Sequence, residues 1–293
     1  MRTPPSILVL TRNEERNIGA CLDNLSFSDD IVVLDSLSTD RTREIAASRP
    51  NVRVVERAFD TEYLQRNYGL HEIPYKHPWL YVCDADERIT PELREELISV
   101  CSNPNETNVA FRVRYKNMFF GKWIRHSSGY PVWLVRLFRP ERVRYEVRQT
   151  NVHPIIDGPV GELKGHFEHY SFESGLRRWF EKHNYYSDRE AMEAVAVRAR
   201  GLPPLRQLFD KDPIVRRRTI KNLSFFLPWR GVMRYFFDTF FRLGLLDGHV
   251  GLRYTTMISM YEHWIEVKIC EQERSWTERT NEVARELLAR EHE

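Results

Sequence analysis

The sequence predicts an α/β fold in which a mostly parallel β-sheet is flanked by α-helices. First, four short apolar runs alternate with helix-like segments over residues 6–100. Second, the runs are short and almost continuously apolar, with Ser6 and Arg53 as the exceptions, as expected for strands that are buried on both faces. Third, these runs are directly followed by polar side chains of the types that bind ligands or take part in catalysis. In parallel sheets ligands bind at the carboxyl ends of the strands, so the pattern also predicts the edge of the sheet that carries the site.

The four strands are expected at residues 6–10, 31–34, 52–55 and 79–83. After the first strand, Ile18, Cys21, Leu22 and Leu25 fall on one face of a helix. Ser38 is a candidate cap for the helix after the second strand. The next helix spans about residues 63–73, and Pro91 opens a further helix after the fourth strand.

Composition places the chain among folded globular proteins, with 42% hydrophobic and 29% charged residues. A net charge of +2 argues against binding nucleic acid through the chain as a whole. The four cysteines are widely spaced, which favours reduced thiols in a cytoplasmic setting over a zinc site or disulfide framework. The sequence shows no signal-peptide pattern, and we expect no membrane-spanning helix.

Asp84-Ala85-Asp86 follows the fourth apolar run and is the most informative motif. Two carboxylates one residue apart at a strand end can share one hard cation, because Mg²⁺ and Mn²⁺ prefer oxygen ligands. This predicts a metal–diphosphate site, and the alternative is a solvated acidic turn before a helix. Thr11, Asn13 and Asp35 also fall at strand ends, which favours the site. Neither a GxGxxG fingerprint nor a P-loop is present.

Four motifs in this order carry a family resemblance: residues 11–15 (Thr-Arg-Asn-Glu-Glu), 32–40 with Asp35 and Ser38-Thr39-Asp40, 65–68 (Gln-Arg-Asn-Tyr) and 84–87 (Asp-Ala-Asp-Glu). The pattern resembles the inverting glycosyltransferases of family 2, which have the GT-A fold. Within that family it is similar to the branch of lipopolysaccharide-core glucosyltransferases and exopolysaccharide glycosyltransferases.

The resemblance implies a nucleotide-sugar site with defined residue roles. Asp35 would accept a hydrogen bond from the base, favouring uracil, and Asp84 would face the ribose or the sugar. Asp86 would ligate Mn²⁺ or Mg²⁺, with His169 as a further metal or phosphate contact. The remaining nucleotide-sugar residues would be Thr11, Asn13, Glu14, Gln65, Arg66 and Asn67. Helix capping is the alternative for Asp35, and an ordinary turn is the alternative for Asn13 and Glu14.

An inverting reaction needs a base that takes the proton of the acceptor hydroxyl. Relatives often carry Val-His-Glu where this chain has Val152-His153-Pro154, so the expected acid is missing. Glu146, His153 and Asp157 are the available candidates, and we favour Glu146 because it follows a strand-like segment near the expected place. Arg136 or Arg139 is a candidate for balancing phosphate charge, against the alternative of a solvated strand face.

Residues 201–253 carry ten basic and four acidic residues, a net charge of +6, with interleaved aromatic residues. This mixture predicts helices that lie on a membrane surface, with aromatic residues inward and arginines toward anionic head groups. A helical subdomain or a homo-oligomer contact is the alternative, and nucleic-acid binding is not expected.

We therefore expect a GT-A domain at residues 1–200 and a helical, basic-aromatic region at residues 201–293. The predicted activity is metal-dependent transfer of a sugar, from a UDP-hexose, to a lipid-linked or polysaccharide acceptor such as lipopolysaccharide. The predicted location is peripheral, on the cytoplasmic face of the cell membrane. The alternatives are a nucleotidyltransferase of similar sheet architecture and a membrane-surface binding protein with a decayed enzyme domain.

Overall fold

The computed structural model describes residues 2–147, 152–211 and 213–290, and the side chains of all of these except 213, 214 and 275–290. Asp212, which enters the charge of segment 201–253, lies outside the described residues. The chain forms two compact units. Unit 1 comprises Met1–Arg125 and Gly129–Gly175, and unit 2 comprises His126–Ser128 and Leu176–Glu293. The helix of residues 176–199, which the expected boundary at residue 200 assigns to the first domain, belongs to unit 2.

Unit 1 is built on a nine-stranded sheet and a separate two-stranded sheet. The strands, in chain order, are β1 (Ser6–Thr11), β2 (Ile31–Asp35), β3 (Val52–Glu56), β4 (Leu80–Asp84), β5 (Glu87–Ile89), β6 (Ala110–Phe119), β7 (Lys122–Trp123), β8 (Val132–Phe138), β9 (Val143–Tyr145), β10 (Pro154–Ile156) and β11 (Val160–His169). The helices of this unit are α1 (Ile18–Leu25), α2 (Thr42–Ala47), α3 (Glu62–His71) and α4 (Pro91–Ser102). Pro140–Arg142 forms a short 3₁₀ helix.

The large sheet runs in the order β3-β2-β1-β4-β8-β6-β11-β5, with β7 paired to β6, and β9 pairs with β10. The first four strands are parallel, as their apolar runs predict. Beyond β4 the sheet is mixed: β8 is antiparallel to both β4 and β6, β11 is parallel to β6, and β5 is antiparallel to β11. The predicted α/β sheet flanked by helices is confirmed, and its parallel part comprises chiefly β1–β4.

Helices cover both faces of β1, β2 and β4, which explains why the middle of each of these strands is apolar, whereas β3 lies at the edge of the sheet and carries the exposed Arg53. Ile7 and Val9 of β1 pack on one face against α1 and α4. Leu8, between them in sequence, packs on the opposite face with Leu70 of α3. Successive side chains of a strand point to opposite faces, so both sets of positions need apolar residues.

Unit 2 is helical. Its longer helices are α5 (Leu176–Ala199), α6 (Pro213–Ser224), α7 (Arg230–Phe236) and α8 (Gly248–Arg290). Shorter helical turns are the 3₁₀ helix Leu205–Phe209, the π-helix Phe237–Phe241 and the 3₁₀ helix Gly244–Asp247. Ala191 and Ala194 of α5 pack with Ile265 and Ile269 of α8 around the buried Phe225. Within the described part of the chain, no helix is both long and apolar enough to span a membrane.

Candidate active site

The carboxyl ends of β1, β2 and β4 lie side by side. Thr11 is the register partner of Asp35 on β2, and Leu10 is the partner of Asp84 on β4. Polar residues that are 24 to 73 positions apart in the sequence therefore meet at one edge of the sheet. This is the edge at which parallel α/β sheets bind ligands.

Asp35 is fully buried and organises the first part of the site. Its Oδ2 accepts hydrogen bonds from the Thr11 hydroxyl at 2.8 Å and the Ser38 hydroxyl at 2.6 Å. Its Oδ1 accepts from the Ser38 backbone N–H at 2.7 Å. Ser38 does not cap α2, contrary to prediction, because α2 begins only at Thr42, with Arg41 at the N-cap position, and the Ser38 hydroxyl is engaged with Asp35. Contact between Asp35 and a nucleotide base stays a prediction, and because Asp35 is fully buried it requires a rearrangement of the groups around this carboxylate.

The loops after β1 and β2 are tied to each other. Asn13, whose φ is +56°, donates its backbone N–H to Ser38 Oγ at 2.7 Å and accepts from the Thr39 N–H through Oδ1 at 2.8 Å. Glu14 Oε2 accepts a hydrogen bond from Asn17 Nδ2 at 2.7 Å. These bonds fix both loops before any ligand binds. The predicted nucleotide contacts of Thr11, Asn13 and Glu14 would use this preformed arrangement.

The three predicted residues of α3 have different surroundings. Buried Gln65 accepts from Arg57 Nη1 at 2.6 Å and donates to Ser36 Oγ at 3.2 Å. Asn67 bonds both the N–H and the carbonyl oxygen of Tyr145, at 2.7 and 3.1 Å, so it holds β9 against α3.

Arg66 is the α3 side chain that reaches the charged part of the site. Its guanidinium lies 5.3 Å from the centroid of the Tyr145 ring, and its Nε donates to Glu62 Oε1 at 3.0 Å. It is also close enough to Asp84 for the two charges to stabilise each other.

Asp84 belongs to a charged cluster with Arg136 and Glu87. Arg136 Nη2 donates to Asp84 Oδ2 at 2.7 Å and also to Glu87 Oε1. Arg136 and Glu87 are buried, whereas the Asp84 side chain remains about one-third exposed. Arg136 is therefore committed to two carboxylates, and the Arg139 guanidinium lies 4.6 Å from the centroid of the Trp79 ring. This geometry does not support the expectation that either arginine faces a phosphate.

The cluster shifts the pKa values of Asp84 and Glu87 in opposite directions. Burial acts to raise the pKa of both acids, and Arg136 opposes it. For Asp84, Arg136 and Arg66 outweigh burial and hold the pKa well below its usual range. For Glu87, burial and the neighbouring Asp84 charge prevail and raise the pKa to about 7. Asp84 is thus an ionised hydrogen-bond acceptor at neutral pH, at the rim of the cluster, as suits contact with a hydroxyl group.

Asp86 points to a different partner from Asp84. Its Oδ2 lies 3.2 Å from His169 Nε2, and both side chains are partly exposed. Burial acts to lower the pKa of His169, but the Asp86 carboxylate outweighs it and the pKa is raised. An oxygen donor beside an imidazole nitrogen suits Mn²⁺ or Mg²⁺ chemically, Mn²⁺ better. Among the described residues, no group of three or more His, Cys, Asp or Glu side chains is arranged to hold a metal, so a cation here would need ligand oxygens as well.

The three candidate bases lie on or beside the β9–β10 hairpin. Glu146 directly follows Tyr145, the residue next to Arg66 and Asn67, and its N–H donates to the His153 carbonyl at 3.2 Å. His153 is exposed, and Asp157 is exposed and paired with Arg142 at 3.3 Å. Tyr145 thus connects the backbone of Glu146 to the Arg66 side of the site, and the choice of Glu146 over His153 and Asp157 as the base stays a prediction.

Glu87 and Arg136 are the members of the site whose roles sequence reasoning missed. Glu87 sits in the acidic motif but turns inward, with its backbone paired to His169 on β11. Arg136 stands in an apolar strand, β8, where a lone buried charge needs a partner. A basic residue inside an otherwise apolar strand was the available signal. Its partners could not be identified, because β8 joins β4 through long-range antiparallel pairing.

Comparison with known proteins identifies the family. A family model described as "Glycosyl transferase family 2" matches residues 6–171, more than half of the chain. The chain therefore belongs to glycosyl transferase family 2, and the predicted resemblance is confirmed. The matched region contains every predicted site residue, from Thr11 to His169.

The individual relatives and solved structures share low sequence identity with this chain. The chain is 27% identical over 168 residues to the lipopolysaccharide core biosynthesis glycosyltransferase LpsC of Rhizobium meliloti, covering 56% of this chain and 61% of that protein. It is 23% identical over 201 residues to an uncharacterized glycosyltransferase of Rickettsia typhi, covering 65% and 68%. Among solved structures, S. aureus TarS 1-349 aligns over 96% of this chain and 92% of its own, with 14% identity and a TM-score of 0.44.

Proposed function

We propose that the protein transfers a sugar, most simply a hexose from a UDP-hexose donor, to a lipid-linked or polysaccharide acceptor with inversion at the anomeric carbon. The observation that carries the proposal is the meeting of Asp84, Asp86, His169 and Arg66 beside the Thr11–Asp35 network at the carboxyl ends of β1, β2 and β4. Family membership supports the reaction class. The donor, acceptor and metal rest on the site chemistry.

In the proposed reaction, an acceptor hydroxyl oxygen forms a bond to the anomeric carbon while the bond from that carbon to the diphosphate oxygen breaks. The hydroxyl proton passes to a protein carboxylate, for which Glu146 is the favoured candidate, and the electron pair leaves with the nucleoside diphosphate. Ionised Asp84 would accept a hydrogen bond from a ribose or sugar hydroxyl. Asp86 and His169 would hold Mn²⁺ or Mg²⁺, whose contribution is to neutralise charge on the departing diphosphate.

Hydrolysis and transfer of UDP-sugars, measured with and without Mn²⁺ or Mg²⁺, test this proposal. We expect metal-dependent turnover that Asp86→Asn lowers at least tenfold. Asp23→Asn is the matched control, since Asp23 is an exposed carboxylate on α1 that pairs with Arg49 and should leave turnover unchanged. If no UDP-sugar binds or turns over with either metal, the proposed UDP-sugar transfer fails. The alternative of a membrane-surface binding protein with a decayed enzyme domain is then favoured.

The base is tested separately with Glu146→Gln. We expect this change to lower kcat by about 10²- to 10⁴-fold, because it removes the proton acceptor, while donor binding is kept. Turnover rates and donor affinity measured together distinguish chemistry from binding. Near-normal turnover would remove Glu146 from the mechanism, and His153→Gln or Asp157→Asn would then be expected to show the loss.

We further propose that segment 201–253 attaches the protein to the cytoplasmic face of the cell membrane. Trp229 and Phe241 are 71% and 80% exposed, and further apolar side chains around them are about half exposed: Val232, Phe236, Phe240 and Leu243. With the basic excess of the segment, this surface suits anionic head groups and the upper part of the acyl region. Such attachment would bring the enzyme to lipid-linked acceptors.

A further inference from the structure

Unit 2 contains a cavity that the transfer reaction does not use. Its volume is about 580 Å³, within the range of ~300–1,000 Å³ typical of small-molecule sites. The wall is formed by residues of α5, α6, α7 and α8, the π-helix and the loop between α6 and α7. We refer to it as the α6–α8 cavity. All of its lining residues belong to unit 2, so it is a feature of this unit by itself.

Much of the cavity wall is apolar. Ile265 is a buried lining residue, and four further apolar side chains line the cavity while remaining about half exposed: Ile220, Leu227, Met233 and Phe237. Side chains of this kind release ordered water when an apolar group covers them, so a hydrocarbon occupant is favoured. A purely ionic ligand would leave this wall in contact with water.

The charged side chains of the cavity are predominantly basic. Arg217, Lys221, Arg230 and Arg234 line it, against Glu190 and Glu262, which leaves a charge of +2. Three of the bases are paired: Lys221 with Glu190 at 2.8 Å, Arg230 with Glu262 at 2.6 Å, and Arg234 with the buried Asp238, which lies outside the cavity lining, at 2.5 Å. Arg217 is exposed and has no ion-pair partner among the residues that the structure describes. The cavity therefore carries a positive charge that remains available to an anionic group.

Arg230 adds a second, independent indication of a ligand. The residue is only 9% exposed, and its Nε–H has no hydrogen-bond partner in the described part of the chain. A buried donor without an acceptor is destabilising unless a ligand or water supplies one. Because Nε is covered by neighbouring side chains, an acidic oxygen reaches it only after those side chains shift, and it is then held by a charge-assisted hydrogen bond.

From the apolar wall, the surplus positive charge and the unsatisfied Arg230 donor, we infer that the α6–α8 cavity binds one molecule of an anionic lipid. The hydrocarbon chain lies against Leu227, Met233 and Phe237, and the phosphate group faces Arg217 and Arg230. This binding is independent of sugar transfer. It also differs from attachment to a bilayer surface, since it is saturable and takes a single lipid molecule.

The test uses the full-length protein and short-chain lipids that are monomeric in solution, so that no bilayer is present. Dihexanoyl phosphatidic acid is titrated by calorimetry, with dihexanoyl phosphatidylcholine and inorganic phosphate as comparisons. We expect one saturable site for phosphatidic acid, at least tenfold weaker binding of phosphatidylcholine, and no comparable binding of phosphate. Equal binding of both lipids would overturn the role of charge, and phosphate binding as tight as lipid would overturn the role of the chain.

Two pairs of variants locate the site. Arg217→Gln is expected to weaken phosphatidic acid binding about fivefold, while Arg218→Gln, its exposed neighbour outside the cavity, should have no effect. Met233→Gln should weaken binding by a similar factor through loss of apolar contact. Met260→Gln changes a side chain of comparable exposure outside the cavity and should leave phosphatidic acid binding unchanged. All four positions are on the surface, so folding is retained; unchanged binding in both Arg217→Gln and Met233→Gln would refute the site.

Discussion

Asp84 and Asp86 show how two acidic residues separated by a single alanine acquire different chemistry. Asp84 accepts a hydrogen bond from buried Arg136, whereas Asp86 lies beside His169. The chain leaves β4 between them, so the two side chains meet different parts of the structure: Arg136 on β8 and His169 at the end of β11. The proposed division of roles, a hydroxyl acceptor at Asp84 and a cation ligand at Asp86, follows from these partners.

Asp30 is a buried carboxylate that stabilises unit 1 away from the site. Its Oδ2 accepts from the Ser6 hydroxyl at 2.6 Å and the Lys76 N–H at 2.8 Å, and its Oδ1 accepts from Arg53 at 2.9 Å. Burial acts to raise the pKa of Asp30, but these donors outweigh it and lower the pKa below its usual value. We expect Asp30→Asn to lower the free energy of unfolding by about 1–3 kcal/mol at neutral pH.

The pH dependence of this effect has a defined sign. A carboxyl whose pKa is lower in the folded state stabilises the protein above its unfolded pKa of about 3.9, and this contribution is lost as the pH falls through the folded pKa. Urea unfolding at several pH values should therefore show a constant difference between wild type and Asp30→Asn from neutral pH to about pH 5, and a smaller one below about pH 4. Asp29→Asn is the control, because exposed pairs such as Asp29–His77 contribute little. An equal effect of both substitutions would contradict the argument.

At the scale of elements, α4 and β11 approach each other closely at Gly165. A Cβ atom on Gly165 would lie 2.7 Å from Leu93 Cα and 2.9 Å from Leu93 N, which are backbone atoms of α4. Here the N–H groups of Lys164 and Gly165 donate to the Glu96 carboxylate, and the pairing of β11 with β6 shifts register. This contact holds α4 against the strand that carries His169.

We expect Gly165→Ala to lower the free energy of unfolding by about 1–3 kcal/mol, because the helix backbone must shift to admit the methyl group. Gly19→Ala on α1 is the matched control: the nearest atom to its new Cβ is 3.7 Å away, and alanine favours the helix by up to ~1 kcal/mol. Thermal unfolding of the three proteins measures both effects. Equal stability of wild type and Gly165→Ala would show that α4 can move freely on the sheet.

The elements also show why part of the fold could be predicted from sequence and part could not. Strands β1, β2 and β4 are continuously apolar and each precedes polar residues, so both their positions and the location of the site follow from local pattern. The pairing of β8 between β4 and β6 involves residues far apart in the chain, and no local pattern encodes it. Ser38 illustrates the same limit: its sequence context suits a helix cap, but buried Asp35 competes for its hydroxyl.

At the scale of the whole molecule, the two units have contrasting surfaces. Most of the buried apolar residues of unit 1 lie in two clusters on the faces of its sheet. Unit 2 keeps a run of aromatic side chains on its surface, in which Phe236 stacks on Phe240 and Phe237 on Phe241. The cations among them are partly neutralised, because Arg234 and Arg242 both pair with the buried Asp238. The apolar contribution to membrane attachment is therefore expected to be as large as the electrostatic one.

This balance predicts how the full-length protein binds vesicles. We expect co-sedimentation with vesicles that contain phosphatidylglycerol, weaker co-sedimentation with neutral vesicles, and partial release when the ionic strength is raised, because salt screens the arginines but not the aromatic contacts. Phe240→Ser should weaken binding roughly three- to tenfold through the loss of about 1 kcal/mol of apolar burial. Phe59→Ser in unit 1 is the control, since Phe59 is similarly exposed but lies outside segment 201–253. Full release by salt would assign attachment to charge alone, and equal effects of the two substitutions would remove segment 201–253 as the attachment surface.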